Sequence, residues 1–173
     1  ASMHDSKPLF SSFPWMRYSK ALTLAVERPT CVGCFALEAS TERGMHLAVG
    51  RAGSRNQGNE VAIFWLVDPM DGVIVDAKFQ VFGQSALIGA GEAACVTTIG
   101  KTIQQAKRIT ADLLDRCLRD KSDQAAFPPE AFVHLNLVLD AIDLACETCT
   151  HLTVSLHPPA TPLPAEERGS GQY

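Results

Sequence analysis

The chain lacks an excess of basic residues and lacks long apolar runs. Its 173 residues carry a formal net charge of −4, which argues against a general nucleic-acid binder, because such proteins usually present a basic surface. No apolar run approaches the roughly 20 residues that a membrane-spanning helix needs. The first eight residues carry both charge signs and no apolar core, so no secretory signal is predicted. We therefore expect a cytoplasmic location, where thiols stay reduced.

Recognisable catalytic groups are also scarce. No Ser/His/Asp or Cys/His arrangement suited to nucleophilic catalysis stands out in the sequence. Lys101 follows Gly100, but the rest of a phosphate-binding P-loop pattern is missing around them. The chain is therefore predicted not to be an enzyme.

The hydrophobic pattern predicts an α+β fold. Strands are expected over residues 45–49, 61–67 and 73–82, because these runs are rich in branched and aromatic residues or alternate in polarity. Helical spacing of apolar residues predicts helices over residues 18–27, 85–98, 102–106, 111–118 and 130–149. Turn-forming residues at 68–72 join the last two strands as an antiparallel hairpin. The order of elements predicts a three-stranded antiparallel sheet with helices packed on one face.

Composition divides the chain into three parts. Residues 1–15 are expected to form a flexible N-terminal arm, and residues 16–152 one folded domain. Residues 153–173 are rich in proline and then polar, so they bury too little surface to offset the entropy of ordering. This tail is predicted to be disordered.

Three groups of short segments occur in a characteristic order and spacing. They are residues 18–20 with 29–33, residues 71–83 with 100–102, and residues 127–129 with 140–142. Together they resemble the NifU/IscU family of iron–sulfur cluster assembly scaffolds, over about residues 18–149. The resemblance implies the α+β sandwich of that family. It also implies a protein that receives sulfur from a cysteine desulfurase, builds a cluster and passes it to iron–sulfur acceptor proteins.

The chain departs from this family at the positions of the usual cluster ligands. By the resemblance, Gln57 stands at the first cysteine position and Asn59 at that of the acidic residue. Gln84 stands at the second cysteine position and His134 at the third. Amides do not replace thiolates as iron or zinc ligands, so we expect these four residues to form a vestigial site. The amides of Gln57, Asn59 and Gln84 are expected to hydrogen-bond one another there.

The cysteines offer a second candidate site. Six cysteines are present, and four of them form two CxxC pairs, Cys31 with Cys34 and Cys146 with Cys149. Four thiolates suit zinc or an iron–sulfur cluster, provided that the two ends of the domain meet. The alternatives are a thiol–disulfide role and plain buried cysteines.

The remaining cysteines, Cys95 and Cys117, lie in apolar helical patterns and are predicted to lie in the core. The leading interpretation is thus an iron–sulfur assembly scaffold that carries a metal or cluster on the two CxxC pairs. Two alternatives stay open. One is a metal-free paralogue that binds or regulates assembly partners, and the other is a structural zinc protein.

Overall fold

The computed structural model describes residues 18–150 of the chain. The predicted arm (1–15) and tail (153–173) lie outside these residues. The helices are α1 Lys20–Glu27, α2 Leu37–Glu42, α3 Ser85–Thr98, α4 Ile103–Ala106, α5 Ala111–Cys117 and α6 Phe132–Glu147. The strands are β1 His46–Ser54, β2 Asn59–Val67 and β3 Ile74–Phe82. Short 3-10 turns at Arg55–Gln57 and Pro129–Ala131 precede β2 and α6.

Polar side chains fix the starts of three helices, as local sequence chemistry predicts. The hydroxyl of Ser19 accepts a hydrogen bond from the backbone N–H of Leu22 and begins α1. Thr102 begins α4 within a complete capping box, and Thr110 begins α5 in the same way as Ser19. Each cap satisfies a backbone donor that has no partner inside the helix.

The sheet is a simple antiparallel meander in the order β1-β2-β3. The turn between β1 and β2 lies at one end of the sheet, and the hairpin between β2 and β3 lies at the other. The chain leaves β3 at the same end as the first turn. As a result, Arg55–Gln57 and the loop that enters α3 become neighbours.

The core lies between the helices and one face of the sheet. Gly50, Ile63 and Phe79 are paired across the three strands, and this row faces the helices. A Cβ placed on Gly50 would lie 1.9 Å from the carbonyl oxygen of Ala141, so only glycine permits α6 to approach β1 this closely. The predicted three-stranded α+β sandwich is therefore confirmed.

Two local expectations were wrong. The helix α2 was not predicted, because its six residues are mostly polar and show no apolar periodicity. Cys117 was placed in the core but is exposed, because the buried face of α5 is centred on Leu114, Asp115 and Leu118 and Cys117 lies to one side of it. Among residues 18–150, no helix combines the length and apolar character needed to cross a bilayer.

Candidate functional site

Three of the four residues that the sequence resemblance assigns to ligand positions meet at one end of the sheet. The side-chain oxygen Oδ1 of Asn59 accepts a hydrogen bond of 3.1 Å from the backbone N–H of Gln84. In turn, Oε1 of Gln84 lies 3.0 Å from the ring nitrogen Nε2 of His134. We call Asn59, Gln84 and His134 the amide–imidazole cluster. It joins the start of β2, the loop before α3 and the first turn of α6.

Gln57 lies beside this cluster without a side-chain bond to it. Its backbone N–H donates to the hydroxyl of Ser54 at 3.2 Å, which closes the turn between β1 and β2, and its side chain is exposed. Asn59 bonds to the backbone of Gln84, the side chain of Gln84 turns to His134 and Gln57 faces solvent, so no hydrogen bond between the side-chain amides is seen among these residues.

A glycine makes the contact between the two loops possible. Gly83 has a φ of +136°, and a Cβ at this position would lie 2.2 Å from Oδ1 of Asn59. Any other residue would push Asn59 away and carry a strained backbone. Gly83 therefore holds Gln84 in reach of both of its partners.

Burial controls the charge state of His134. Only 4% of this residue is exposed, and desolvation lowers its pKa below the ordinary value of 6.5. The imidazole is therefore neutral at neutral pH. A neutral ring with Nε2 protonated donates its hydrogen bond to Gln84.

A buried carboxylate positions the chain that leads into α6. Asp115 has no exposed surface, and its two oxygens accept hydrogen bonds from the backbone N–H groups of Ala126 and Phe127 at 3.0 and 2.8 Å. Arg119 pairs with the same carboxylate at 2.7 Å. Sequence reasoning missed this anchor, because nothing in the pattern of α5 distinguishes Asp115 from a surface acid.

The first CxxC pair lies at the outer edge of β3. Cys31 and Gly33 exchange backbone hydrogen bonds with Phe79 at 2.9 and 2.8 Å. Cys34 is exposed. The first pair therefore extends the sheet edge as a short fourth segment.

The thiol of Cys31 is polarised by its neighbours. A hydrogen bond with Cys95 lowers its pKa to about 7, against the opposing effects of burial and of the nearby carboxylate of Glu92. Glu92 accepts hydrogen bonds from the backbone N–H groups of Thr30 and Cys31, both at 3.0 Å. Sequence reasoning missed Glu92, although a single acid among the alanines and glycines of α3 is a visible signal for a buried partner.

The second CxxC pair is packed at the end of α6. Cys146 and Cys149 are both buried, and the sulfur of Cys146 lies 3.9 Å from the carbonyl oxygen of Ile103 in α4. Burial raises the pKa of Cys146 to about 12 and also raises that of Cys149. Both thiols therefore stay protonated at neutral pH.

The structure does not bring the two cysteine pairs together. Cys31 and Cys34 lie against β3, with Cys31 also contacting α3, whereas Cys146 contacts α4. Within residues 18–150, no three His, Cys, Asp or Glu side chains are grouped so that they could hold a metal ion. The four-thiolate site predicted from Cys31, Cys34, Cys146 and Cys149 has no geometric support here.

The fold is found in a solved structure of a scaffold protein. That structure is described as an iron–sulfur cluster assembly scaffold for the SUF system from the thermophile Fervidobacterium islandicum AW-1. It superposes with a TM-score of 0.55 at 19% identity, over 77% of this chain and 98% of that one. A NifU-like N-terminal structure from Brucella abortus gives a TM-score of 0.43 at 18% identity, over 82% and 88%. No curated protein gives a significant match.

The three-stranded sandwich has the fold of that solved scaffold structure, and the class of this protein is that of NifU-like domains. The family model described as the NifU-like N terminal domain matches residues 17–149. The chain therefore belongs to the family of NifU-like N-terminal domains, and the resemblance inferred from the sequence is confirmed.

Proposed function

We propose that this scaffold-like protein serves iron–sulfur cluster assembly by binding assembly proteins through the family's fold, without holding a cluster at the family's usual site. It acts in the cytoplasm and catalyses no reaction of its own. The observation that supports this proposal is the amide–imidazole cluster, formed by residues that the sequence resemblance assigns to the positions of the thiolate ligands.

The donor atoms at this place do not suit a cluster as cargo. Sulfide-bridged iron is held by soft thiolates, and Asn59 and Gln84 supply only amide groups. Their oxygens already accept hydrogen bonds. The only metal-binding type of side chain in the cluster is His134, whose Nε2 is engaged by Gln84. The residues present therefore do not fit the group that the family implies.

The same end of the molecule is available to a protein partner. Gln57 and Gln84 are exposed, and the side chain of Val133, next to His134, is 60% exposed. A surface that combines an exposed apolar residue with neutral amides suits a protein interface more than a charged ligand. A cysteine desulfurase and iron–sulfur acceptor proteins are the partners that membership of this family favours.

The experiment measures binding of the full chain to a cysteine desulfurase by isothermal titration calorimetry. Val133→Asp, at the end of the sheet that carries the amide–imidazole cluster, is expected to weaken binding by about tenfold, which corresponds to about 1.4 kcal/mol. The matched control is Met70→Asp in the β2–β3 hairpin at the opposite end of the sheet, where Met70 is 83% exposed. This control is expected to leave the affinity unchanged.

Two results would overturn the proposal. One is an absence of binding to both a desulfurase and an iron–sulfur acceptor protein. The other is a brown protein after anaerobic purification, with absorbance in the near-visible range and iron that survives gel filtration. A colourless protein with one zinc per chain would instead favour the structural zinc alternative.

A further inference from the structure

The direction of the backbone groups in β1 follows from the hydrogen bonds of β3. Phe79 bonds away from the sheet, since its N–H donates to Cys31 at 2.9 Å and its C=O accepts from Gly33 at 2.8 Å. Phe79 is paired with Ile63 of β2. In an antiparallel pair whose members do not bond to each other, both residues turn their backbone groups outward. The backbone groups of Ile63 therefore point to its other partner, Gly50 of β1.

Alternation along β1 then identifies the groups at its outer edge. Gly50 bonds to Ile63, and successive residues of a strand turn their backbone groups to opposite sides. The N–H and C=O groups of Leu47, Val49 and Arg51 therefore point away from β2. Among residues 18–150, no backbone group meets them on that side. We call these three residues the open edge.

The open edge lacks the features that usually keep an edge strand from pairing. Its strand spans nine residues, His46–Ser54, without proline or lysine, and its register with β2 is regular. An edge of this kind is a template for a further strand. A groove beside the edge leaves room for that strand. The groove is lined by Val49, Arg51, Leu144, Glu147 and Thr148.

The opposite edge of the sheet is already covered. Phe79 of β3 bonds to Cys31 and Gly33, and the N–H of Ile74 donates to Lys101. Within the described residues, β1 is thus the edge that remains available. When two sheets join through one such edge each, the assembly closes at two copies and does not grow into a fibre. A second copy of this chain therefore fits the open edge as the partner in a dimer.

We propose that the open edges of two copies pair antiparallel about a two-fold axis at Val49 and join the two three-stranded sheets into one. In this register Val49 pairs with the second copy's Val49, and Leu47 pairs with its Arg51. Every outward N–H and C=O group of the open edge then has a hydrogen-bond partner. Leu144, which is 39% exposed in the groove, is covered near the axis.

Other registers of the same pairing are less favourable. An axis at Arg51 would place two guanidinium groups directly opposite each other, and like charges in that arrangement are destabilising. An axis at Gly50 would pair Leu47 with Gly53, whose φ of +80° departs from that of a regular strand. The axis at Val49 avoids both problems.

Sedimentation velocity of the full chain at a series of concentrations measures the mass in solution. We expect a dimer with twice the mass of the 18.6 kDa chain. Val49→Lys places two like charges across the axis and is expected to give a monomer. The matched control is Leu113→Lys on α5, where Leu113 is 40% exposed, and it is expected to leave the dimer unchanged. Circular dichroism spectra that match that of the original chain show that the variants fold.

A matched pair of variants at Leu47 tests the register. Leu47→Glu and Leu47→Lys remove the same leucine, but the introduced charge faces the second copy's Arg51 with opposite sign in the first and with the same sign in the second. Because two such pairs form in each dimer, we expect the dissociation constant to be about tenfold larger for Leu47→Lys. Adding Arg51→Glu to Leu47→Lys is expected to reverse this loss.

Amide hydrogen exchange measured by NMR identifies the paired surface directly. The N–H groups of Val49 and Arg51 are expected to be protected in the dimer and to exchange faster on dilution. The N–H groups of Ala48 and Gly50 bond to β2, so they are expected to stay protected at every concentration. These neighbours are the control within the same strand.

Several findings would refute the edge-to-edge dimer. They are a chain that stays monomeric at the highest concentration measured, a folded Val49→Lys dimer as tight as the original, and a Leu47→Lys dimer as tight as that of Leu47→Glu. A monomer with protected Val49 and Arg51 amides would show that another segment of the same chain covers the edge. Partner binding enters none of these measurements, so the dimer and the proposed function are tested separately.

Discussion

At the scale of the residue, His134 shows how burial changes the use of a side chain. The sequence resemblance assigns it to the position of a cysteine ligand, yet it is 4% exposed and bound to Gln84. An imidazole that is neutral, buried and hydrogen-bonded contributes to the packing of α6 and holds the loop before α3 in place.

The lowered pKa of His134 predicts a dependence of stability on pH. The unfolded chain titrates this histidine near 6.5, and the folded chain does so at a lower pH. Between these two values the unfolded chain binds more protons, so the contribution of His134 to stability is lost as the pH falls through 6.5 toward the folded pKa.

The variant His134→Gln removes this titration while keeping a polar side chain. The quantity compared is the free energy of unfolding of the original chain minus that of His134→Gln. We expect this difference to become smaller as the pH is lowered from 7.5 to 5. Urea denaturation at several pH values measures the difference, and titration of all other groups cancels in it. A difference that is independent of pH would contradict the assignment.

At the scale of the element, the contact between β1 and α6 depends on the absence of one side chain. The site of Gly50 is closed by the backbone of α6, because a Cβ there would lie 1.9 Å from the oxygen of Ala141 and 2.5 Å from the nitrogen of Ala145. Backbone atoms inside a packed helix cannot rotate away as a flexible side chain can.

Gly50→Ala is therefore expected to destabilise the fold by about 3 kcal/mol, the upper range for overpacking. Chemical denaturation measures the loss. The control is Val49→Ala on the adjacent, half-buried position of β1, which faces the other side of the sheet and is expected to cost about 1 kcal/mol. Equal losses in the two variants would show that the close approach of α6 is not the cause.

At the scale of the whole molecule, the fold assembles a site from distant parts of the chain. The first turn of the sheet supplies residues 57 and 59, the entry to α3 supplies residue 84, and the first turn of α6 supplies residue 134. The residues that the sequence resemblance assigns to the ligand positions therefore come from one end of the sheet, although none of them is a cysteine.

If these four residues stand at the ligand positions, a cluster site can be rebuilt only by replacing all four of them together. The triple variant Gln57→Cys, Asn59→Asp, Gln84→Cys is expected not to bind a cluster, because His134 still leaves one thiolate position empty. Adding His134→Cys is expected to produce visible absorbance after anaerobic reconstitution with iron and sulfide. A stable cluster in the triple variant, or none in the quadruple variant, would contradict this account.

Much of the architecture could be predicted from the sequence because it rests on local chemistry. The caps Ser19, Thr102 and Thr110 act through near neighbours. The apolar run of β2 and the turn before β3 do so as well, and both lie where they were expected. The family could be identified because the order and spacing of its short motifs survive in this chain.

Long-range contacts decided the features that could not be predicted from the sequence. Whether the two CxxC pairs meet depends on the path of the chain between them. The fold places Cys31 against β3 and Glu92 of α3, and Cys146 against α4, instead. The buried roles of Glu92 and Asp115 likewise require partners 61 and 11 residues away. The sequence by itself determined most of the elements, their order and the family, since these follow from periodicity and motif spacing. Only the tertiary structure decided which side chains touch, because burial and pairing arise when distant segments pack.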